Sequence, residues 1–350
     1  MKDNLEYRHL LQRLISIPSP SGEEKAAADL VQRFLEDKGC TVHRRINNLW
    51  IESESEAAGK PTLLLNAHLD TVKASAGYSF DPYCGRLENG RILGLGSNDD
   101  GGSLVSLIQA WFLLTAHEQP YRLVFSATAQ EENSGADGFD AVKGEWGNVR
   151  LGIIGEPTGM KMAVAEKGLL VLDCTARGIT GHAAREGGVN AIYKAMEDIE
   201  WFRTYRFPRE SQYLGPVKMS VTAIEAGSLH NVIPDSCRFT VDIRSNGEYS
   251  NAQILETVMQ NVQCEVKPRS LRNNSSSIST GSAVVRRGLE MGLEAFGSPT
   301  TSNSTRCDFP TLKIGPGQSE RSHTADEFIL LSELDEAAGI YFKLLDKLEI

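Results

Sequence analysis

Histidines and carboxylates recur where apolar segments of this sequence end. The run LLLNAHLD, residues 63–70, ends with His68 and Asp70. Residues i and i+2 of a strand project from the same side, so Asp70 can accept a hydrogen bond from one ring nitrogen of His68. The other nitrogen is then free to bind a metal ion. A single H-x-D is more often an ordinary histidine followed by a turn residue, and the rest of the chain decides between the two interpretations.

Four further polar clusters follow apolar strands or precede helices. Taken singly, each acid could cap a helix, belong to a solvated pair or sit in a surface turn. Ligand sites of open α/β sheets lie beyond the carboxyl ends of the strands, so we expect the clusters to converge. Carboxylates gathered in one place need cations to neutralise them. The clusters are GLGSNDDGG (94–102) with Asp99 and Asp100, TAQEENSG (128–135) with Glu131 and Glu132, IIGEPTG (153–159) with Glu156, and SERSHTADE (319–327) with His323.

Two histidines with three carboxylates make up the donor set of a site for two divalent metal ions. Zinc suits these ligands best, and Co²⁺ or Mn²⁺ are alternatives because no thiolate is involved. Two such cations, ~3.5–4 Å apart, lower the pKa of a shared water and supply a nucleophile near neutral pH. One carboxylate is left over for proton transfer. The pattern therefore predicts a two-metal site that can activate water.

Alternating strands and helices have to position these clusters. The order predicts an α/β fold with a mostly parallel sheet and flanking helices. The predicted strands lie at 62–67, 121–129, 149–156 and TLKIGPG (311–317), and the predicted helices follow PSPSGEE, begin near Gly102 and occupy LSELDEAAGIYFKLLDKL (331–348).

The pattern changes after Lys167 to a β-α-β-β-α order with antiparallel character. We expect a separate inserted α+β domain at 167–278 within a catalytic, metal-binding domain made of 1–166 and 279–350. The Ser- and Asn-rich segment 270–283 is the best candidate linker.

Composition excludes several classes of protein. The chain has 350 residues, 41% of them hydrophobic and 23% charged, with a net charge of -10. This composition is typical of a soluble globular enzyme, and the negative net charge argues against a nucleic acid or an anionic membrane as main partner. The N-terminus lacks an apolar signal core, no apolar run reaches membrane-helix length, and the six cysteines form no C-x-x-C pair. We expect a cytoplasmic protein with reduced thiols.

Eight motifs carry a resemblance that covers essentially the whole chain. They are HLD, GLGSNDDGG, QEENSG, GEPT, GHAAREGGVNAI, HNVIPD, VDIR and SHTADE. In this order they resemble the dinuclear zinc aminoacylases and exopeptidases, which include acetylornithine deacetylase, succinyl-diaminopimelate desuccinylase and carboxypeptidase G. The chain is most similar to the short acetylornithine deacetylase-like branch. The resemblance implies a zinc-exopeptidase-like catalytic domain and an inserted dimerisation or lid domain.

The resemblance also implies a role for each site residue. The family usually has a basic residue at the Leu95 position and a lysine near Gly101, and this chain lacks both. Asp100 is therefore the alternative to Asp99 as bridging ligand. The implied roles are His68 and Glu156 on one metal ion, Glu132 and His323 on the other, Asp99 as the bridge, Asp70 orienting His68, and Glu131 as the general base.

Residues of the inserted domain are implied to complete the site. His182 is the expected hydrogen-bond donor to the developing oxyanion, and it is expected to act in the partner subunit of a homodimer. Asn231 and Arg244 resemble positions that hold the substrate's α-carboxylate, for which a planar guanidinium is well suited. Three arginines near site residues suggest a succinyl rather than an acetyl substrate, because a second carboxylate needs a cation. These are Arg185, Arg306 and Arg321.

Three functions compete at this point. The first is removal of an acetyl or succinyl group from N-acyl-ornithine or N-acyl-citrulline in arginine biosynthesis. The second is a di- or tripeptidase, or another N-acyl-amino-acid hydrolase such as the desuccinylase of lysine biosynthesis. Glu156, where peptidase branches more often have Asp, mildly favours the first. The third, a non-enzymatic binding protein, conflicts with the retained ligand types and Glu131.

Overall fold

The computed structural model describes residues 4–53 and 59–350, and these form two compact units. The first unit comprises Met1–Val164, Ile278–Phe296 and Ser302–Ile350, and the second comprises Ala165–Ser277 and Gly297–Thr301. The predicted domain boundaries, 166/167 and 278/279, lie two residues and one residue from the corresponding unit boundaries. The assignment of Gly297–Thr301 to the second unit was not predicted.

Helices flank the strands along the described chain. They are α1 (Asn4–Ile15), α2 (Lys25–Asp37), α3 (Gly102–Thr115), α4 (Phe139–Val142), α5 (Ala191–Thr204), α6 (Asn251–Asn261), α7 (Ala283–Glu290) and α8 (Leu331–Leu345). Short irregular or 3₁₀ turns lie at Ser97–Gly101, Lys143–Trp146, Asn303–Arg306 and Ser319–Arg321. Within the described ranges, no helix combines the length and the apolar character that a membrane crossing requires.

The strands of residues 4–53 and 59–350 fall into four sheets. In chain order, the first nine are β1 (His43–Arg45), β2 (Asn48–Glu52), β3 (Thr62–His68), β4 (Leu87–Glu88), β5 (Arg91–Leu93), β6 (Arg122–Thr128), β7 (Val149–Ile154), β8 (Met162–Glu166) and β9 (Leu170–Arg177). The others are β10 (Gly181–His182), β11 (Lys218–Ala226), β12 (Val232–Ile233), β13 (Ser236–Arg244), β14 (Glu265–Pro268), β15 (Ser276–Ser277), β16 (Ala295–Ser298), β17 (Thr311–Lys313) and β18 (Phe328–Leu330).

The large sheet of the first unit runs in the order β1-β2-β6-β3-β7-β17-β8. Its centre, β6-β3-β7-β17, is parallel, whereas β2 and β8 join it antiparallel. The predicted α/β class with a mostly parallel sheet is therefore confirmed. A small antiparallel sheet, β18-β5-β4, completes the unit.

The strand at the centre of this sheet is buried on both faces. Leu63 and Leu65 face the main hydrophobic core, which is formed with α1, α2, α3 and α8. Leu64 faces a smaller core that contains Trp146. All three leucines are inaccessible to solvent. This explains an apolar run in place of an alternating strand, because helices cover both faces of a parallel sheet.

The second unit is built on the antiparallel sheet β11-β13-β9-β14. Buried and more exposed residues alternate along β13, so one face carries the core of this unit and the other is more polar. Helices α5 and α6 contribute buried side chains to that core. The start of α6 is fixed by a capping box in which Ser250 accepts from the Gln253 amide and Gln253 accepts from the Ser250 amide, as the sequence S-x-x-Q permits.

Candidate metal centre

Three neighbouring parallel strands end at one edge of the large sheet and deliver most of the predicted site. His68 is the last residue of β3, Glu131 and Glu132 follow β6, and Glu156 follows β7. The convergence expected from the sequence is thus present in the first unit. Ligand atoms of His68, Glu131 and Glu156 lie within 4.8 Å of one another, as do those of a second group of His68, Asp99 and Glu132.

Asp99 lies between the two predicted histidine ligands. Its Oδ1 is 3.1 Å from Nε2 of His68 and its Oδ2 is 3.8 Å from Nε2 of His323. Asp100 instead turns toward the main chain, where its Oδ2 accepts from the His68 amide at 3.1 Å. The peptide bond between the two aspartates is cis. The position of Asp99 supports it over Asp100 as the bridging ligand.

His323 is paired with Glu132 on the other side of the cluster. Its Nε2 is 2.9 Å from Oε2 of Glu132, and the His323 side chain is about half exposed. The hydrogen bond with Glu132 raises the pKa of His323 to about 9. These two residues and Asp99 form the side of the cluster that was predicted to hold the second metal ion.

Asp70 orients more of the site than the sequence suggested. The Nδ1–H of His68 donates to the main-chain carbonyl of Asp70 at 2.8 Å, and the carboxylate Oδ1 lies farther away, at 3.5 Å. The carboxylate accepts from the amides of Glu131 and Glu132, at 2.9 and 3.1 Å, and from the Ser21 hydroxyl at 2.7 Å. Asp70 therefore fixes the imidazole with Nε2 toward the cluster, and it also fixes the turn that presents both glutamates.

Two carboxyl groups of the cluster, those of buried Asp70 and half-buried Glu131, have pKa values shifted in opposite directions. Burial alone would raise the pKa of Asp70, but hydrogen bonding and charge from His68, with the Ser21 hydroxyl, hold that pKa below its usual range. For Glu131, burial and the nearby charge of Glu156 raise the pKa well above its ordinary value. A carboxyl group of raised pKa beside an ionised one is typical of an acid–base catalyst.

The charge and the donor atoms of the cluster suit the predicted divalent cations. Asp100 is buried, as are Asp70, Asp99 and Glu156, and its Oδ1 has no hydrogen-bond partner in the described structure. Burial first, and then the charges of Glu156 and Asp99, raise the pKa of Asp100 well above its usual value. Acids packed this closely repel one another unless positive charge is added. Oxygen and imidazole donors around such a cluster suit divalent zinc, cobalt or manganese.

Sequence reasoning missed two residues that support the site. Glu327 is buried, and its Oε1 accepts from the amides of Asn98 and Asp99 at 2.9 and 3.0 Å, so it fixes the loop that carries the predicted bridge. Lys313 is the only fully buried lysine or arginine among residues 4–53 and 59–350. The sequence feature that could have pointed to this residue is a lysine inside the apolar strand TLKIG.

Lys313 lies next to a predicted metal ligand. It pairs in register with Ile154, two residues before Glu156, and its Nζ is 3.8 Å from Oε2 of Glu156. The side chains are 4% and 11% exposed, so solvent screens the pair poorly. The ammonium thus offsets part of the negative charge of a cluster that lacks the basic residues the family has near Leu95 and Gly101.

Replacing Lys313 by Met should destabilise the metal-free protein more than the zinc-bound protein. Loss of one partner of a buried ion pair costs about 3–5 kcal/mol, whereas added Zn²⁺ supplies positive charge and should recover part of that loss. Urea unfolding with chelator and with Zn²⁺ measures both states. Lys161→Met, which breaks an exposed pair with Glu294, is the control and should cost less than about 1 kcal/mol. An equal loss for Lys313→Met with and without Zn²⁺ would contradict the charge-balancing role.

The three arginines predicted near the succinyl group differ in whether their guanidinium groups are available to bind its carboxylate. Arg306 is held by Asp140 and by the Ser134 carbonyl. Arg321 makes two hydrogen bonds, of 2.7 and 3.1 Å, with the carboxylate of Glu333. These commitments weigh against the prediction that either binds an acyl carboxylate. Arg185 of the second unit is exposed and forms no ion pair with the described residues.

His182 and Asn231 are brought together, but Arg244 is not near them in the same chain. His182 pairs with Val232 between β10 and β12, and the Asn231 carbonyl accepts from the amide that follows His182. Arg244 ends β13, which starts just after β12 and spans roughly 26 Å at about 3.3 Å per residue. Asn231 and Arg244 of one chain therefore cannot hold the same carboxylate, contrary to the expectation.

Two family models match parts of the chain. The peptidase dimerisation domain matches residues 164–269, and peptidase family M28 matches residues 48–150. Two curated relatives are similar over nearly their full lengths. Succinyl-diaminopimelate desuccinylase of Cereibacter sphaeroides is 27% identical over 95% of this chain and 96% of its own. LysW-lysine/LysW-ornithine hydrolase of Sulfurisphaera tokodaii is 27% identical over 98% and 96%.

Solved structures show the same fold. The aminopeptidase PepT of Bacillus cereus has a TM-score of 0.77 at 21% identity, covering 99% of this chain and 98% of that one. An M20 family metallo-carboxypeptidase of Sulfolobus solfataricus has a TM-score of 0.77 at 16% identity, covering 99% of both chains. With the relatives, the family models and the histidine–carboxylate cluster, this confirms the resemblance to the dinuclear zinc aminoacylases and exopeptidases.

Proposed function

We propose that this dinuclear metal-dependent amide hydrolase removes an acyl group, succinyl in preference to acetyl, from an N-acylated amino acid. The observation that carries the proposal is the cluster of His68, Asp99, Glu132, Glu156 and His323, with Glu131 beside it. The amino acid is either ornithine or citrulline, as in arginine biosynthesis, or diaminopimelate. The names of the two curated relatives contain diaminopimelate and ornithine, and they support these two alternatives about equally.

The residues of the first unit divide the chemistry between them. When bound, two divalent cations, for which zinc is our proposal, polarise the scissile carbonyl and acidify water. Asp70 holds His68 with Nε2 toward the cluster and holds Glu131 through its amide. Glu131 takes a proton from the attacking water and returns it to the departing amine. Its half-buried carboxyl, with a raised pKa, is suited to both transfers.

Residues of the second unit complete the proposed site in a homodimer. His182 donates to the developing oxyanion, together with Asn231, while Arg244 holds the α-carboxylate. His182 and Arg244 lie too far apart in one chain to contact the same small substrate, which supports contributions from two subunits. The sheet also has a free edge at β11, with Ile224 exposed there and Tyr193 and Met196 exposed on α5. A second copy pairing along that edge would cover it.

A substrate panel tests the proposal. The zinc-loaded enzyme would be assayed with N-acetyl and N-succinyl forms of ornithine, citrulline and diaminopimelate, and with di- and tripeptides of neutral residues. We expect turnover of acyl amino acids, with the succinyl form favoured. Preference for the peptides by kcat/KM would replace the proposal with the peptidase alternative, which relatives of this fold include.

Arg185 is the remaining candidate for the succinyl carboxylate. A charge-assisted hydrogen bond contributes roughly 1.5–3 kcal/mol, so Arg185→Ala should lower the succinyl-to-acetyl ratio of kcat/KM by about 10- to 150-fold. Arg209→Ala, at another exposed arginine of the same unit, is the control and should keep the ratio. An unchanged ratio in Arg185→Ala would remove Arg185 from the site.

A further inference from the structure

Three cationic side chains gather at one end of the antiparallel sheet in the second unit. Lys218 on β11 and Arg244 on β13 are directly paired, and directly paired residues of antiparallel strands project from the same face. The ammonium of Lys167 donates to the Pro216 carbonyl at 3.1 Å, and the amide of the next residue donates to the Ser245 carbonyl at 3.1 Å. Lys167 is thereby held beside both strands at the same end of the sheet.

The positive charge of this cluster is only partly balanced. Arg244 donates to both oxygens of Asp242, at 2.8 and 3.0 Å. Within the described part of the chain, no other carboxylate forms an ion pair with the three cations. Three positive charges and one negative charge leave a net charge of +2. Burial first, and then the charges of Lys218 and Arg244, lower the pKa of Lys167, as expected for cations that repel one another.

The guanidinium keeps donors for a ligand despite its pair with Asp242. An arginine has five N–H groups, and Asp242 uses Nε and Nη2. The Nη1 edge of Arg244 can still bind one carboxylate. The ammonium groups of the two lysines can donate to a second carboxylate. The cluster therefore combines an excess of positive charge with two sets of hydrogen-bond donors, the guanidinium edge and the ammonium groups.

We propose that Lys167, Lys218 and Arg244 form one anion site that selects substrates whose amino acid carries two carboxylates. Arg244 takes the α-carboxylate, and the two lysines take the carboxylate at the end of the side chain. Two carboxylates bring the net charge of the cluster from +2 to zero. A side chain ending only in an ammonium, as in ornithine, would leave the second positive charge unbalanced, whereas diaminopimelate carries a carboxylate beside its ammonium. This inference rests on the proposed function and narrows its substrate.

Two substrates that differ by one carboxylate test the site. They are Nα-succinyl-lysine and N-succinyl-diaminopimelate, whose amino acid is lysine with a carboxylate added at the ε-carbon. The wild type should prefer the diaminopimelate compound by at least roughly 10-fold in kcat/KM. Lys218→Met should bring that ratio close to one. Lys167→Met should also lower the ratio, although it removes the hydrogen bond to Pro216 as well.

Lys267→Met is the matched control and should keep the wild-type ratio. Lys267 lies on β14, at the opposite edge of the same sheet, and is exposed. A wild-type ratio near one, or a ratio that Lys218→Met leaves unchanged, would overturn the inference.

Absence of turnover with both compounds, and with every acyl amino acid of the substrate panel, would refute the proposed function instead. The affinities of free diaminopimelate and free lysine, measured by calorimetry, would then test the anion site. Tighter binding of diaminopimelate that Lys218→Met abolishes would support the site, and equal binding of the two would overturn it.

Discussion

Replacing Glu131 by Gln should reduce turnover at least ~100-fold while both metal ions stay bound. Gln keeps the size of the side chain and part of its hydrogen bonding, but it cannot accept a proton from water. General acid–base catalysis contributes about 10²–10⁴-fold, which sets the expected loss. Kinetics on the preferred acyl amino acid, with metal content measured per chain by mass spectrometry, checks both parts of the prediction.

Glu132→Gln is the matched comparison, since both glutamates follow β6 and both amides donate to Asp70. Glu132 contacts His323, so its replacement should lower metal content. The reverse outcome, in which Glu131→Gln loses half the metal and keeps most of its rate, would show that Glu131 is a ligand. The roles of the two glutamates would then be exchanged.

Mixing two nearly inactive variants should restore activity if His182 acts in the partner subunit. His182→Ala lacks the oxyanion donor and Glu131→Gln lacks the base. After random subunit exchange, half of the dimers are mixed, and one of the two sites in each mixed dimer has both groups intact. About a quarter of wild-type activity is therefore expected, a recovery far above the residual activity of either variant alone.

Subunit exchange must be verified independently, for instance by native mass spectrometry of differently tagged chains. A mixture of wild type with Glu131→Gln is the control for mixing itself, because half of its sites keep both groups whether or not subunits exchange, and it should show about half of wild-type activity. No recovery in a mixture that has demonstrably exchanged would mean that His182 acts within its own chain, or that it has no catalytic role.

The elements that position the site could be predicted because their patterns are strong. The run Leu63–Leu65 has three consecutive apolar residues, and the structure buries it between two cores. The helix predicted near Gly102 spans Gly102–Thr115, and the strand predicted at 121–129 spans Arg122–Thr128. Their order along the chain was enough to indicate a parallel sheet and therefore a shared edge for His68 and the glutamates.

Details set by long-range contacts could not be predicted. That Asp70 would accept from the amides of Glu131 and Glu132 depends on β3 and β6 being neighbours, which no local pattern specifies. The partners of Arg306 and Arg321 lie far away or in another element, so proximity in sequence to site residues was a poor guide to their availability. The lengths of short strands such as β10 and β12 also depend on tertiary pairing rather than on propensity.

The separation of Asn231 from Arg244 has the same origin. Both were assigned to one carboxylate because their motifs suggested it, but β13 places them near opposite ends of the sheet. In the homodimer that we propose, a second subunit would bring the two motifs to one substrate, and such contacts leave little signature in the sequence of one chain.

Metal titration tests the central claim most directly. Protein stripped by a chelator would be assayed on the preferred N-acyl amino acid, and Zn²⁺ would be added in known amounts. The stripped protein should be inactive, and activity should return as two equivalents per chain are bound. His323→Ala should bind one equivalent less. Full activity in protein whose metal content is far below one ion per chain would contradict the account.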